Sequence, residues 1–438
     1  MAIYSKEEAQ ALLKKVLGFS KAEQCELNFN GSVGGNLRYA LSSVSTSGGI
    51  ESTQLVVASA FGKKVGTATI NEFDDASLQK VIERSEELAQ LAPENPEFLP
   101  YLGPQTFADS KTFVAETAAI DPKYRADAAY ESLQVSKNNK LTAAGFLENA
   151  NRFSAMMNSK GLFAYNQSTN VNFSVTLRTA DGRGSGYASK TFNDVRKLNV
   201  GNESKIAADK ALRSTEAKAI EPGKYTVILE PMAGQNLLEN MFNAMDARQA
   251  DEGRSFLSKG GGKTRLGEQL VDEKVTIYSD PQNADLPSST WGGDGRPQEK
   301  TVWIDKGVVK NMFYSRYWAE KKAVKGAPRP GAIIMQGGNS SLADLIKSTE
   351  KGILVTRFWY IRAVDPQTLL YTGLTRDGTF YIENGQVKFP VKNFRFNESP
   401  VIMLNNLEAL GKPERVGNML IPPMKIRDFT FSSLSDAV

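Results

Sequence analysis

Apolar and polar positions along the chain fall into three successive blocks. The first opens with "SKEEAQALLKKVL", where apolar residues recur at helical spacing to about Leu17 and Ser5 stands three residues ahead of Glu8, the pairing of a capping box. "CELNFNGSVGGNLRYALSSVSTSGGI" and "ESTQLVVASAFGKKVGTATIN" follow. They are rich in Val, Thr, Ser and Tyr, alternate in polarity and are broken by glycine, which predicts strands and hairpins. Asp74 and Asp75 then precede Leu78, Val81, Ile82, Ser85 and Leu88, the single apolar stripe of a helix. The Pro-rich "LAPENPEFLP" ends it and marks a domain edge.

The second block repeats the order without a sequence repeat. "PKYRADAAYESLQVSKN" predicts a helix with Pro122 in its first turn. Three strands follow, turned at Asn158–Gly161 and at Asp181-Gly182, and a closing helix from Glu203 to about Ser214 is expected to be capped by Asn202. The third block begins with a buried strand at Tyr225–Leu229 and one further helix, "LLENMFNAMDARQADEG", from Leu237 to Gly253. From there to Val438 the pattern is mostly strand. "IDKG", "RDG" and "ENG" read as hairpin turns, and one short helix, "SLADLIKST", is capped by Ser340 or Ser341. The expected architecture is α+β: N-terminal and central α+β layers over residues 1–106 and 107–219, then a larger, mostly antiparallel β-rich domain over residues 220–438.

Length and composition agree with several domains. The 438 residues exceed what one core organises, and the 41% hydrophobic and 23% charged shares are those of a globular protein. Lys and Arg number 53 against 49 Asp and Glu, with no dense basic run, so no direct nucleic-acid binding is expected. No apolar run reaches membrane-spanning length and the N-terminus lacks the pattern of a signal peptide, which predicts a cytoplasmic protein. Cys25 is the only cysteine, so no intrachain disulfide or cysteine-rich metal site can form.

The chain has no histidine. Ser-His-Asp and Cys-His catalysis are thereby excluded within it, and the commonest nitrogen ligand of zinc is missing. In the helix expected from Leu237, the residues Leu237, Leu238, Met241, Phe242 and Met245 form an apolar face, while Asn240, Asn243, Asp246, Gln249 and Asp251 lie off it. Glu239, Asp246, Asp251 and Glu252 are local carboxylates of the kind an oxygen-preferring metal such as Mn or Mg takes, but they do not all share a face, and a solvated helix edge or hinge is the expected reading. "SKGGGKTRLGEQL" matches only the tail of a phosphate loop, since Leu257 stands where the pattern's first glycine belongs. The glycines of "DGRGSGYAS" suit a hairpin or bulge better than a dinucleotide site. Arg357, Arg362, Arg376 and Asp377 stand among Phe358, Trp359 and Tyr360. They suit either a peptide-binding surface or structural pairs with Asp365 and Asp377. Tyr314, Tyr317 and Trp318 line a groove or belong to a core.

Three segments in one order, "RLGEQLVDEKVTIY", "SDPQNADLPSSTWGGDGRPQEKTVWIDKGVVKNMFYSRYWA" and "GGNSSLADLIKSTEKGILVTRFWYIRAVDPQTLLYTGLTRDGTFYIENGQV", resemble the TldD/PmbA family of metallopeptidases and modulators of DNA gyrase. TldD-like members of that family carry His-Glu-x-x-x-His on a helix early in the last domain, and PmbA- or TldE-like members lack it and pair with the first kind. Counting back from "TRLGEQL" puts Asn243 and Arg248 at the histidine positions and Ala244 at the glutamate. The family's active-site cysteine has no counterpart here. The resemblance therefore implies a non-catalytic, TldE-like subunit of a peptide-processing metalloprotease complex. No cofactor is expected in this chain, and zinc would sit in active TldD-like relatives. The implied partners are a TldD-like chain or a second copy, and unfolded peptide. Two alternatives remain open: an active metallopeptidase with a carboxylate-bound metal, and a protein-binding modulator of DNA gyrase without peptidase chemistry.

Overall fold

The computed structural model describes residues 3–435. Helix α1 (Lys6–Leu17) starts at the expected capping box: the Ser5 hydroxyl accepts from the Glu8 amide and the Glu8 carboxylate accepts from the Ser5 amide. Strands β1 (Gln24–Ala40), β2 (Ser43–Phe61) and β3 (Lys64–Ile70) follow, then α2 (Asp75–Leu91), capped by Asp74. The second block gives α3 (Pro122–Asn138), with Pro122 in the first turn and Asp121 as its cap, then β4 (Thr142–Asn158), β5 (Phe163–Arg178) and β6 (Ser185–Phe192). Helix α4 (Val200–Arg213) closes the block. It begins three residues before the expected start: Asn199 is the cap, and the Asn202 amide donates to its side chain. Asn202 is thus inside the first turn, where the capping oxygen must come from upstream.

The two blocks build one sheet. Its strand order is β3-β2-β1-β4-β5-β6, with β1 and β4 antiparallel at the centre from Glu26↔Asn158 to Tyr39↔Gly145. Each half contributes three strands and two long helices, so the order is symmetric about the β1–β4 seam. Cys25, Leu27 and Phe29 of β1 join the core under α1 and α2, whereas Leu37 and Tyr39 join that under α3 and α4. All five are odd-numbered, so both cores lie on one face of the sheet. Glycines let the outer helices approach: a Cβ on Gly66 would lie 2.1 Å from Ala89 N of α2, and one on Gly186 would lie 2.0 Å from Ala207 O of α4.

The last region is β-rich. Strands β7 (Gly223–Leu229), β8 (Lys351–Asp365), β9 (Leu370–Glu383), β10 (Phe394–Glu398) and β11 (Met424–Leu434) run in the order β8-β7-β11-β10-β9. Pairing of β8 with β9 closes this ring into a barrel, which removes free edges where its strands are paired on both sides. A second, six-stranded sheet of short strands packs beside it. "IDKG" and "ENG" form two-residue hairpin loops with Lys306-Gly307 and Asn384-Gly385 at positive φ. "RDG" does not. Asp377 (φ 56°) and Gly378 (φ 125°) lie inside β9, where the pairing slips between Val355↔Thr379 and Arg357↔Arg376. They form a β-bulge, held by side-chain partners that a turn pattern does not reveal. The Leu342–Lys347 helix is capped by Ser341.

Helix α5 runs from Pro231 to Asn243 and the short α6 from Ala247 to Asp251. The single helix expected from Leu237 to Gly253 is therefore broken. Between the two, the Ala247 amide donates to Phe313 O and the Phe313 amide to Met245 O, so this backbone pairs with a neighbouring segment instead of continuing the helix. Asp246 caps the new start, accepting from the Gln249 amide at 2.9 Å. Met245, Ala247 and Ala250 are buried with Leu237, Leu238, Met241 and Phe242, which is why the apolar period carried across the break.

Candidate functional site

Helix α5 buries Ala233, Leu237, Leu238, Met241 and Phe242 against the barrel and the short-stranded sheet. Its opposite stripe, Met232, Asn236, Glu239, Asn240 and Asn243, recurs at three- and four-residue spacing and forms one wall of a cleft of about 330 Å³. The other wall is β8 from Arg357 to Ile361. Parallel pairing between β7 and β8 ends at Leu229↔Val355, because β7 there gives way to α5. Beyond Val355, among the described residues, β8 keeps a strand partner only on its β9 side. The cleft therefore sits where a barrel strand has lost one neighbour.

The strand wall is irregular. The β8–β9 pairing slips again between Trp359↔Leu374 and Arg362↔Thr372, and Tyr360 takes the left-handed conformation (φ 54°). Such backbone costs about 1–3 kcal/mol and persists where its surroundings impose it. It leaves Trp359 42% and Tyr360 56% exposed. Arg376 lies 4.0 Å over the Trp359 ring and Arg362 lies 4.4 Å over Tyr360. Burial pushes the Arg376 guanidinium below its ordinary pKa, against the pull of the nearby Asp377.

Arg357 is anchored from below. Its Nε donates to Asp377 Oδ2 at 2.6 Å and Nη2 contacts the same oxygen, while the Asp377 carboxylate is fully buried. Ser185 Oγ donates to the other carboxylate oxygen, and Arg357 stacks 3.8 Å over Tyr187. Ser185 and Tyr187 belong to β6, so the central sheet fixes the arginine at the floor of the cleft. Lys210 of α4 pairs at 2.7 Å with Glu230, the residue just ahead of α5, with both side chains largely buried. Thr356 donates to the same glutamate at 3.4 Å.

Residues 110–217 match the PmbA/TldA metallopeptidase central domain, and residues 222–433 match the PmbA/TldA metallopeptidase C-terminal domain. The chain belongs to the PmbA/TldD family. It is 24% identical over 379 residues to an uncharacterised protein of Methanocaldococcus jannaschii, covering 82% of this chain and 84% of that protein. It is also 24% identical over 173 residues, 37% of each chain, to the metalloprotease PmbA of Escherichia coli O157:H7. The crystal structure of TldE from Thermococcus kodakarensis superposes with a TM-score of 0.86 at 16% identity, over 97% of this chain and 99% of that one, which establishes a common fold.

Of the three positions expected from counting to stand at the family's zinc motif, Asn243 ends α5 beside the cleft, Ala244 caps that helix and Arg248 lies beyond the break on α6. Arg248 faces elsewhere, bonding Glu97 and Glu252 at 2.9 Å each and lying 5.1 Å over Trp318. The donor set around the cleft does not fit zinc: it offers one carboxylate, Glu239, and three carboxamides, without an imidazole or thiolate. The four carboxylates considered for an oxygen-bound metal are not brought together. Asp246 caps α6, Asp251 accepts from Trp318 Nε1 at 2.7 Å and pairs with Lys322, and Glu252 pairs with Arg248 and Arg254. Among the described residues no three His, Cys, Asp or Glu side chains gather closely enough to hold a metal ion.

The arginines divide. Arg357 and Asp377 form a buried ion pair, whereas Asp365 accepts from Gln367 N and Thr368 Oγ1 within its own turn. Trp318 is buried, with Tyr314 and Tyr317 packed at the margin of the same core. Residues 258–264 form a small hairpin around Gly260–Gly262. Sequence reasoning missed Asn236 and Met232 as cleft residues, and Ser185 and Tyr187 as supports. The signal for Asn236 was the polar stripe it shares with Glu239, Asn240 and Asn243; nothing local marked Met232 or the supports. No helix among the described residues is long and apolar enough to cross a membrane.

Proposed function

We propose that this chain is the non-catalytic, TldE-like subunit of a cytoplasmic peptide-processing metalloprotease complex. It holds extended peptide along β8 beside α5, while a TldD-like chain supplies zinc chemistry. The observation that carries this reading is the donor set of the cleft: three asparagines and a glutamate face an incompletely paired strand. Carboxamides both donate and accept, as a peptide backbone does, and a strand lacking one neighbour accepts an added strand. The same donors are poor ligands for zinc, and a chain without histidine has none in reserve.

The test is co-expression with a TldD-like chain from the same genome. The two are expected to co-purify, and an unstructured peptide is expected to be cleaved by the pair, not by this chain alone. Chelator-sensitive cleavage by this chain alone would overturn the reading, as would binding of DNA gyrase with no affinity for unfolded peptide.

A further inference from the structure

We infer that Glu239 makes the cleft selective for peptides that present a cation to the middle of α5, either a free N-terminal amine or a lysine or arginine side chain. This deepens the peptide-holding reading and rests on it. Two charged side chains line the cleft, Glu239 and Arg357. The arginine is already neutralised by the buried Asp377. Arg362 and Arg376 are stacked on the rings of Tyr360 and Trp359 and do not line the cleft. Glu239 has a bond from the Gln235 amide at 3.1 Å, one turn back on the same helix, and no cation pairs with it among the described residues. Its helix neighbours on the stripe, Asn236 and Asn240, are uncharged. Arg329 donates to Asn243 at the end of the same stripe, so it, like the two stacked arginines, is engaged by a cleft residue. Among the described residues Glu239 is the charged side chain lining the cleft that no ion pair satisfies. Opposite charge at such a contact sets which partner binds.

The experiment measures fluorescence anisotropy of the full chain with extended Thr/Val-rich decapeptides labelled at the C-terminus. The peptides differ in two places: the N-terminus is free or acetylated, and the central residue is lysine or norleucine. At least one cation is expected to tighten binding about tenfold over the acetylated norleucine peptide, and the two arms identify which. Glu239→Gln is expected to abolish that gain, with an unchanged melting temperature. Glu239→Lys is expected to reverse the preference towards a central glutamate. If wild type binds all four peptides alike, or if the gain survives in Glu239→Gln, the selectivity is overturned and peptide holding stands. If no peptide binds, both are overturned.

Discussion

Asp377 shows how a single buried charge organises its surroundings. Its carboxylate has no exposure and gathers Arg357 and Ser185, side chains from two regions of the chain. Removing one member of such a pair strands the other, at a cost of about 3–5 kcal/mol. Asp377→Ala is thus expected to lower stability by that order in urea melts, and to weaken peptide binding by releasing Arg357. Cys25 makes a different case. Burial lifts its thiol from the usual 9.0 to about 11, against hydrogen bonds from Ser20 and Ser59. The unfolded chain loses this proton near pH 9 while the folded chain keeps it to about 11, so stability falls as pH rises through that window. Between pH 8 and 10.5 the wild type should lose ~2 kcal/mol more than Cys25→Ala. Tyr39, buried and pushed up to about 12, adds a loss of the same sign above pH 10. The variant itself should cost about 1 kcal/mol at pH 8 through lost packing. Urea melts at the two pH values give both differences, and equal losses would show that the thiol does not set the slope.

At the scale of elements, what could be read from the sequence was what short-range chemistry decides. The Ser5–Glu8 box, Pro122 in a first turn and the two hairpin loops each depend on a few adjacent residues, and each stands where expected. The failures depend on partners distant in sequence. The helix after Leu237 keeps its apolar period past Ala244, yet the backbone of Met245–Ala247 is claimed by Phe313, about seventy residues on. "RDG" has turn chemistry, but its aspartate is buried under Arg357 and Ser185, so the segment stays in the sheet as a bulge. The cleft was half legible: Asn240, Asn243 and Glu239 were visible as polar helix positions, while the loss of pairing by β8 beyond Val355 was not. Glycines show the same division. Gly186 and Gly48 are both strand glycines, yet a Cβ at Gly186 would strike backbone of α4, and one at Gly48 meets nothing within 4 Å. Gly186→Ala is expected to cost about 1–3 kcal/mol by overpacking, and Gly48→Ala to fall within about 0.5 kcal/mol of wild type. Thermal melts of the two variants side by side decide it, because strand propensity alone would move both alike.

Across the whole molecule, the cleft belongs to the C-terminal region but is held by the central sheet. Lys210 reaches from α4 to Glu230 at the start of α5, Ser185 and Tyr187 reach from β6 to Asp377 and Arg357, and Lys190 pairs with Glu414 at 2.7 Å. Both walls are therefore tied to one external support: α5 through Glu230, and β8 through Arg357. Thr356 joins the two by donating to Glu230. If this coupling is energetic, cutting the Lys210–Glu230 tie should loosen the cleft without unfolding the barrel. Lys210→Met leaves a largely buried Glu230 without its cation, and is expected to cost about 3 kcal/mol or more. Glu230→Gln leaves the lysine instead, with a similar loss. The double variant should recover much of both losses, because no lone buried charge remains, and the cycle isolates the pair's own contribution. Hydrogen exchange supplies the readout that a purely local role would not move. Amides of residues 231–243 and 356–362 are expected to exchange faster together in Lys210→Met, with those of α1 and α2 unchanged. Faster exchange confined to the first turn of α5 would show instead that the ion pair caps a helix and does nothing for the strand across from it.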